Sequence, residues 1–422
     1  MRKILHIPPA LRHRRFRLMW LGLMISVAGS QMQIAALHWH IRILTGEPEP
    51  LALGGIGLAR FLPVMIFSLV GGALADAVSR RKMLFITQSL MALIALAFAL
   101  LTFTSRISLW QIYLLTAVQA FAMAFDLPAR QALVPNLVPA HDLPNAFSMQ
   151  SIAMQAGSIL GPALSGIVIA YLGQGYVYLI NALSFGAVLL ALILIGRVPQ
   201  QRQANQAGRA IVSIPVIQEG VRFILSQPII LSSMILDFFA TFFSSANTLM
   251  PIIAKDILHV GEVAYGWLSS AQSIGAVTAA LIISQLPTIR RQGPVLLISV
   301  VAFGLSTILL GLAGSFGIAM LALIAIGASD TVSTIIRNTI RQLHTPDYLR
   351  GRMTSINQIF FMGGPQLGEV EAGAVAQIFS TPVAIITGGI GCLLAVAWVA
   401  RRWPQLRQYN GDEPIKAGAM AS

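Results

Sequence analysis

Charged residues are scarce in this sequence. Asp, Glu, Lys and Arg make up 10% of its 422 residues, and 56% of the residues are hydrophobic. A soluble domain usually carries about 25% charged residues. With this composition, a water-soluble globule of 422 residues would have too few polar residues to cover its surface. The solvent of this chain must therefore be largely lipid.

The sequence has one cysteine and no nucleotide-binding motif. The single cysteine, Cys392, lies in an apolar run, so no intrachain disulfide can form. No Gly-x-x-x-x-Gly-Lys-Ser/Thr loop occurs in the sequence, which disfavours an ATP-driven pump. The few His and acidic residues are scattered over separate apolar runs and form no evident nucleophile, acid–base pair or ligand cluster. We expect no enzyme activity, no metal and no cofactor.

Long apolar runs are what the sequence has in abundance. A helix needs about 20 apolar residues to cross roughly 30 Å of hydrocarbon, and twelve runs are long enough. They cover approximately residues 17–43, 51–75, 83–104, 108–128, 146–172, 175–196, 228–253, 263–286, 295–314, 316–338, 353–379 and 381–401. The predicted fold class is an all-α polytopic membrane protein with twelve transmembrane helices.

Basic residues are distributed unevenly among the connections between these spans. With a cytoplasmic N-terminus, the outer connections hold only Arg42, Arg106 and Lys255, and Arg60 lies within a span. The other Lys and Arg residues fall on the inner side, so the positive-inside rule places both termini in the cytoplasm. The first span is too long for a signal peptide and is predicted to stay uncleaved.

The net charge of +13 does not indicate a nucleic acid partner. The basic residues form short clusters between apolar runs, with no basic face interleaved with aromatic residues. Membrane topology explains this pattern better, so the expected partner of these residues is the lipid bilayer.

The chain contains an internal duplication. At a shift of 207 residues, Arg130, Pro139 and Ser148 coincide with Arg337, Pro346 and Ser355, and three glycines of span 5 coincide with three of span 11. Internal repeats are how many transporters build a central site between two bundles. The predicted organisation is a six-helix bundle at 1–197, a cytoplasmic linker at 198–227, a second bundle at 228–402 and a cytoplasmic tail at 403–422. The end of the linker is either an interfacial helix or an extension of span 7.

The loop between spans 2 and 3 carries a recognisable motif. The run Gly72-Ala-Leu-Ala-Asp76-Ala-Val-Ser-Arg80-Arg81-Lys82 resembles the loop signature of the major facilitator superfamily, Gly-x-Leu-Ala-Asp-Arg-x-Gly-Arg-Arg/Lys. Ala77 and Ser79 depart from that signature. The resemblance implies close helix approach at Gly72 and, at Asp76, a charge pair that opens and closes with an inner gate. The alternative is an ordinary basic loop.

Span 5 carries a second motif. Gly157-Ser-Ile-Leu-Gly161-Pro162-Ala-Leu-Ser-Gly166 resembles the antiporter motif Gly-x-x-x-Gly-Pro-x-x-Gly-Gly of exporters in the same superfamily. Small residues four apart allow helices to pack closely, and Pro162 removes one backbone hydrogen bond. The resemblance favours efflux over uptake, whereas the alternative is generic small-residue packing.

Two further segments, residues 125–139 and 367–373, resemble the enterobactin-exporter-like branch, also called transmembrane secretion effectors. The resemblance covers essentially the whole chain. It implies two six-helix bundles in the cell inner membrane, a monomer, and export of a siderophore, drug or metabolite by alternating access. Span 4 lacks the Arg-x-x-Gln-Gly motif of some proton-driven exporters, so proton exchange is implied by the family alone. The alternatives are an uptake permease of the same fold, a membrane-embedded enzyme or a non-transporting receptor.

The candidates among the ionisable residues within the spans are Arg60, Asp237, Asp330, Glu369 and Glu371. A charge at the bilayer centre costs at least about 2.5–3.5 kcal/mol on insertion scales, so such residues usually face a partner or a wet cavity. Arg60 and Glu369 are predicted to lie at a similar depth, and the resemblance implies that spans 2 and 11 face each other. We hypothesise an outer pair of Arg60 with Glu369 or Glu371. Separate hydration of these side chains is the alternative.

Asp237 is the first choice for a proton or cationic-substrate site, although a structural hydrogen bond would also explain it. Asp330 is seven residues from Arg337 and suits a gating salt bridge. Asp126 and Arg130 occupy the matching edge of span 4, where Arg130 could pair with Asp76.

Three glutamines are the remaining candidates for the lining of a substrate cavity. Gln31 and Gln33 lie in span 1 and Gln119 lies in span 4. Hydrogen bonds between helices would explain these mid-membrane amides nearly as well.

Overall fold

The computed structural model describes residues 8–196, 198, 222–245, 247–286, 289–346 and 350–411. Helices account for the regular secondary structure of these residues. The first six long helices are α1 (Arg14–Leu44), α2 (Pro50–Ala77), α3 (Arg80–Phe103), α4 (Leu109–Leu133), α5 (Leu143–Leu172) and α6 (Gln174–Ile195). The next six are α7 (Pro228–Phe243), α8 (Glu262–Gln285), α9 (Gln292–Gly311), α10 (Phe316–His344), α11 (Arg350–Ile378) and α12 (Thr381–Arg402).

Eleven helical segments of the described residues are long and apolar enough to cross a membrane, and one of them runs from Pro228 to Ile257, beyond the end of α7. The remaining long helix, α11, carries Glu369 and Glu371. It has 29 residues, or about 43 Å at 1.5 Å per residue, which exceeds the thickness of the hydrocarbon. The described helices therefore correspond one to one with the twelve predicted spans.

The predicted seventh span, by contrast, is interrupted. Helix α7 ends at Phe243, and the chain continues through a short 3-10 turn (Asn247–Leu249), Met250–Ile252 and a π-helical turn (Ile253–Ile257). The break falls where two serines follow the apolar run. Serine side chains compete for backbone hydrogen bonds and so disfavour a helix interior. The Ser245 hydroxyl donates to the carbonyl oxygen of Pro365 on α11 (2.8 Å).

The helices cluster into two compact units. The first takes its described residues from Met1–Ala52, Leu58–Val212 and Ala254–Ser270, and the second from Leu53–Gly57, Ser213–Ile253 and Ala271–Ser422. Each sequence half thus contributes one short segment to the unit formed mainly by the other half. The linker boundaries predicted at 198 and 227 stay predictions, because residues 197 and 199–221 lie outside the described residues.

The packing of helices repeats between the units. In the first unit, α1 packs on α5 and α6, and α3 packs on α4 and α6. In the second unit, α7 packs on α11 and α12, and α9 packs on α10 and α12. Each pair of the second unit is a pair of the first moved on by six helices. This is the arrangement that the 207-residue repeat predicts.

Candidate functional site

A charged cluster in the second unit joins α7 to α10. The Arg337 Nη1 contacts Asp237 Oδ1, and its Nη2 lies 3.5 Å from Asp330 Oδ1. Asp330 and Arg337 are two turns apart, so they share a face of α10. The side chains of Arg337 and Asp237 are 3% and 4% exposed, whereas that of Asp330 is 47% exposed. The structure therefore brings together the three residues that the sequence placed on two spans.

Neutral polar groups extend this cluster. Arg337 Nη2 donates to the hydroxyl of Thr334 (2.7 Å), and Arg341 donates to the side-chain oxygens of Asn338 and Asn357. Asn357 belongs to α11, so Arg341 connects α10 to a third helix. Sequence reasoning missed Arg341 and Asn357, although Arg341 lies one helical turn beyond Arg337 on the same face.

The equivalent arginine of the first unit has a different environment. Arg130 binds Asp126 of its own helix, with Nε 3.1 Å from Oδ2. Asp126 Oδ1 also accepts hydrogen bonds from Thr87 Oγ1 (2.9 Å) and Gln88 Nε2 (2.7 Å) of α3. The Asp126 carboxylate thus has charged and neutral donors on two helices. The predicted pairing of Arg130 with Asp76 stays a prediction, because the side chain of Asp76 lies outside the described residues.

The basic triplet after α2 is partly structural. Arg80 Nη1 donates to the carbonyl oxygen of Ala132 (2.7 Å) and to Asn136 Oδ1 (3.0 Å). Arg81 Nε donates to the carbonyl oxygen of Leu192 (2.8 Å), while Lys82 is exposed. The last carbonyls of a helix lack intrahelical partners, so Arg80 satisfies the end of α4. Gly72 lies within α2, but its surroundings, like those of the Asp76 side chain, lie outside the described part of the structure.

The antiporter-like motif brings α5 against two helices. A Cβ on Gly157 would lie 2.5 Å from Val27 Cγ1, and one on Gly161 would lie 2.8 Å from the carbonyl oxygen of Ala28, both on α1. A Cβ on Gly166 would lie 2.9 Å from the Cα of Gly266 on α8. Pro162 is buried inside the helix. The glycines are needed at these positions because a side chain would force the backbones apart.

The three predicted glutamines all form hydrogen bonds between helices. Gln33 Nε2 donates to Gln119 Oε1 (2.7 Å), and Asn181 Nδ2 donates to Gln33 Oε1 (2.6 Å). Gln31 Nε2 donates to the hydroxyl of Ser158 (2.9 Å). These bonds connect α1 to α4, α6 and α5. Asn181, which sequence reasoning missed, could have been found as a single amide in the apolar run of α6.

The predicted Arg60–glutamate pair involves both units. Arg60 belongs to the first unit, and Glu369 and Glu371 belong to the second. Within the second unit, the start of α2 packs beside Glu369, since a Cβ on Gly57 would lie 3.1 Å from the Glu369 Cβ and Oε2. Both glutamates are partly buried. Pairing of either with Arg60 stays a prediction.

Comparisons with known proteins agree with the geometry. The chain matches the family model described as "Transmembrane secretion effector" over residues 7–416. It is 24% identical to the enterobactin exporter EntS of Citrobacter koseri over 409 residues, 96% of each chain. It is also 24% identical to that of Salmonella choleraesuis over 405 residues, 96% of this chain and 95% of the relative.

Solved structures show the same fold. The nucleoside transporter NupG superposes with a TM-score of 0.71 at 15% identity, covering 94% of this chain and 99% of its own. A bacterial homologue of the iron transporter ferroportin in an inward-facing state superposes with a TM-score of 0.66 at 14% identity, covering 94% and 99%. These likenesses confirm the predicted fold of twelve helices in two six-helix bundles.

Proposed function

Because the chain belongs to the transmembrane secretion effector branch of the major facilitator superfamily, we propose that it exports a small organic molecule by alternating access in exchange for protons. Export is supported by the relatives named as enterobactin exporters. It is also supported by the glycines of α5, which pack this helix on α1 and α8. The proposed cargo class is a siderophore, drug or other metabolite.

The single observation that carries proton coupling is the Arg337 cluster. A buried guanidinium needs one carboxylate to balance its charge, and Asp237 supplies it by direct contact. Asp330 adds a second negative charge to the same guanidinium at 3.5 Å, on a side chain that is 47% exposed. One proton added to this group of three therefore makes it neutral without breaking the Asp237–Arg337 contact. We assign the exchangeable proton to this carboxylate pair, with Asp330 as the more accessible member.

Proton release and cargo movement are coupled if both change the preference of Arg337 for its two acids. With Asp330 ionised, it competes with Asp237 for the guanidinium, and with Asp330 protonated the arginine stays on Asp237. Since these acids lie on different helices, the exchange changes the attraction between α7 and α10. A ligand can shift a conformational equilibrium only by its differential affinity for the two states.

The proposed location is the cell inner membrane, with a monomeric chain and both termini in the cytoplasm. The uneven distribution of Lys and Arg supports this orientation. In this orientation the Arg80 loop is cytoplasmic, and the connections that hold Arg42, Arg106 and Lys255 are outside.

Transport into inverted membrane vesicles tests the proposal. Vesicles containing the wild type should accumulate at least one member of a panel of enterobactin, antibiotics and cationic dyes, and a proton uncoupler should abolish the accumulation. Movement that is insensitive to the uncoupler would exclude proton exchange. Accumulation by intact cells without accumulation by inverted vesicles would show an uptake permease instead.

Variants of the acids locate the coupling. The Asp330→Asn variant should retain downhill counterflow of the accumulated compound. A pH gradient should no longer accelerate transport of that compound by this variant. Glu49→Gln changes an exposed acid in the connection before α2 and serves as the matched control, with unchanged transport. If Asp330→Asn keeps the full response to the pH gradient, the proton is not carried by Asp330.

A further inference from the structure

One segment of the second sequence half is packed into the first unit. This docked segment, Ala254–Ser270, contains the π-helical turn after α7 except for its first residue, and the first part of α8. Helix α8 therefore begins in the first unit and continues into the second at Ala271. Any movement that separates the two sequence halves at the predicted outer end of α1 must remove the docked segment from α1 and α5.

Two hydrogen bonds and one ring contact of the docked segment involve only neutral groups. The Tyr265 hydroxyl donates to the carbonyl oxygen of Ala35 on α1 (2.8 Å), and its ring lies 4.8 Å from that of Trp39. The Ser270 hydroxyl donates to the carbonyl oxygen of Ile159 on α5 (2.7 Å). These contacts fit the surfaces together, and none of them pairs opposite charges.

Arg42 and Asp256 add an ion pair to this interface. Arg42 Nε donates to Asp256 Oδ2 (2.7 Å), and Nη2 donates to Oδ1 (2.5 Å). The guanidinium also donates through Nη1 to the carbonyl oxygen of Gly46 (3.0 Å). The Arg42 side chain is 5% exposed and that of Asp256 is 24% exposed. Two parallel hydrogen bonds fix the orientation of both groups as well as their distance.

The Arg42–Asp256 pair connects the two sequence halves. Arg42 lies in the last turn of α1, in the first sequence half, and Asp256 lies in the π-helical turn, in the second half. Their ion pair therefore joins the end of α1 to the docked segment. The sequence placed Arg42 among the few cations of the outer connections but gave it no partner. The hydrogen bond to the Gly46 carbonyl connects the guanidinium to its own sequence half as well.

We propose that the Arg42–Asp256 pair is a latch that holds the docked segment on α1 and so favours the state closed at this end of the transporter. The inference rests on the alternating access proposed above, but not on the direction of transport or on proton coupling. A partly buried pair that loses one member leaves the other charge without its partner. Removal of either residue should therefore shift the equilibrium towards release of the docked segment.

The accessibility of a cysteine at the last residue of the docked segment, Ser270, whose hydroxyl contacts α5, measures this equilibrium without a substrate. Cys392 is first replaced by Ala, and Ser270, which is fully buried, is replaced by Cys. The purified full-length chain in detergent micelles is then treated with a maleimide. Arg42→Gln and Asp256→Asn should each raise the labelling rate of Cys at position 270 at least fivefold. The charge exchange Arg42→Asp with Asp256→Arg should return the rate to within about twofold of the parent.

Two controls keep the test decisive. Arg106→Gln removes an exposed cation from another predicted outer connection and should leave the rate unchanged. Arg42→Lys keeps the charge but not the two parallel bonds, and should give an intermediate rate in a chain that folds normally. Folding of each variant is checked by its elution profile and its thermal unfolding midpoint.

Equal labelling rates in the parent, Arg42→Gln and Asp256→Asn would overturn the latch. So would faster labelling of both single variants that the charge exchange fails to reverse, since that would indicate general loosening. Because labelling needs no cargo, a failure of vesicle transport with the expected labelling pattern would refute the proposed function and leave the latch intact.

Discussion

Arg130 and Arg337 occupy equivalent places in the two sequence halves, but they obtain their counter-charges differently. Arg130 uses Asp126, four residues earlier on its own helix, whereas Arg337 uses Asp237 on α7. At the 207-residue shift, the residue equivalent to Asp126 is Ser333. The second half therefore lacks a local acid at this position, and its arginine is neutralised by a different helix.

The neutral partners differ in the same direction. Thr87 and Gln88 both donate to Asp126 in the first unit. At the 210-residue shift that aligns Arg80 with Arg290, their equivalents are Leu297 and Ile298. The first cluster is thus fixed by a local acid with several donors. In the second, the charge of Arg337 is balanced by direct contact with Asp237 on another helix, and an additional acid, Asp330, lies beside it. This difference favours the second cluster as the one that changes during transport.

The largest expected effect comes from removing the acid that bridges two helices. Asp237→Ala should lower the free energy of unfolding by about 3–5 kcal/mol, because it leaves the buried Arg337 without its direct partner. Unfolding in mixed micelles with increasing SDS measures this quantity. Asp330→Asn should cost less than about 1 kcal/mol, because its half-exposed side chain contributes little, as in an ion pair at a surface. Equal losses in the two variants would show that Arg337 depends on both acids.

Removing the local acid of the first unit should have a smaller effect. Asp126→Ala should cost about 1.5–3 kcal/mol, the range for hydrogen bonds to a charged group, because the Arg130 side chain is 14% exposed and can be hydrated. The same SDS titration measures it. Thr87→Val removes one neutral donor with little change of shape and should cost about 1 kcal/mol. A loss for Asp126→Ala above that for Asp237→Ala would reverse the comparison.

Packing of glycines, unlike charge, should be equivalent in the two halves. A Cβ on Gly161 would meet the carbonyl oxygen of Ala28 on α1, and one on Gly368 would meet that of Phe242 on α7. Gly161→Ala and Gly368→Ala should each cost about 1–3 kcal/mol by overpacking. Thermal unfolding midpoints of purified protein compare them. Gly186→Ala, where nothing lies within 4 Å, should be neutral or slightly stabilising.

The last prediction introduces into the second half an acid equivalent to Asp126 of the first half. Ser333→Asp places an acid four residues before Arg337, as Asp126 stands before Arg130. In an Asp237→Asn background it should restore about 1–2 kcal/mol of unfolding free energy, whereas in the wild type it should destabilise by adding a buried acid to a paired arginine. A double-mutant cycle measures both values. Destabilisation in both backgrounds would show that the two arginines do not occupy equivalent surroundings.

Much of the architecture follows from the sequence alone. The lengths of the twelve apolar runs and the 207-residue repeat predicted the fold. The loop motif from Gly72 to Lys82, with segments 125–139 and 367–373, predicted the family, and the comparisons confirm both. The exception is the break after Phe243, which a count of apolar residues does not detect. These properties are readable because the bilayer sets the length of a span, and because a duplication leaves residues at a constant separation.

The partners of the polar residues were decided by the tertiary structure. Gln33 bonds to Asn181, 148 residues away, and Arg42 binds Asp256, 214 residues away. Apolar periodicity identifies a buried face but does not say which helix lies against it. A polar side chain within the hydrocarbon usually faces a partner or a wet cavity, and only the packing of helices determines which partner is within reach.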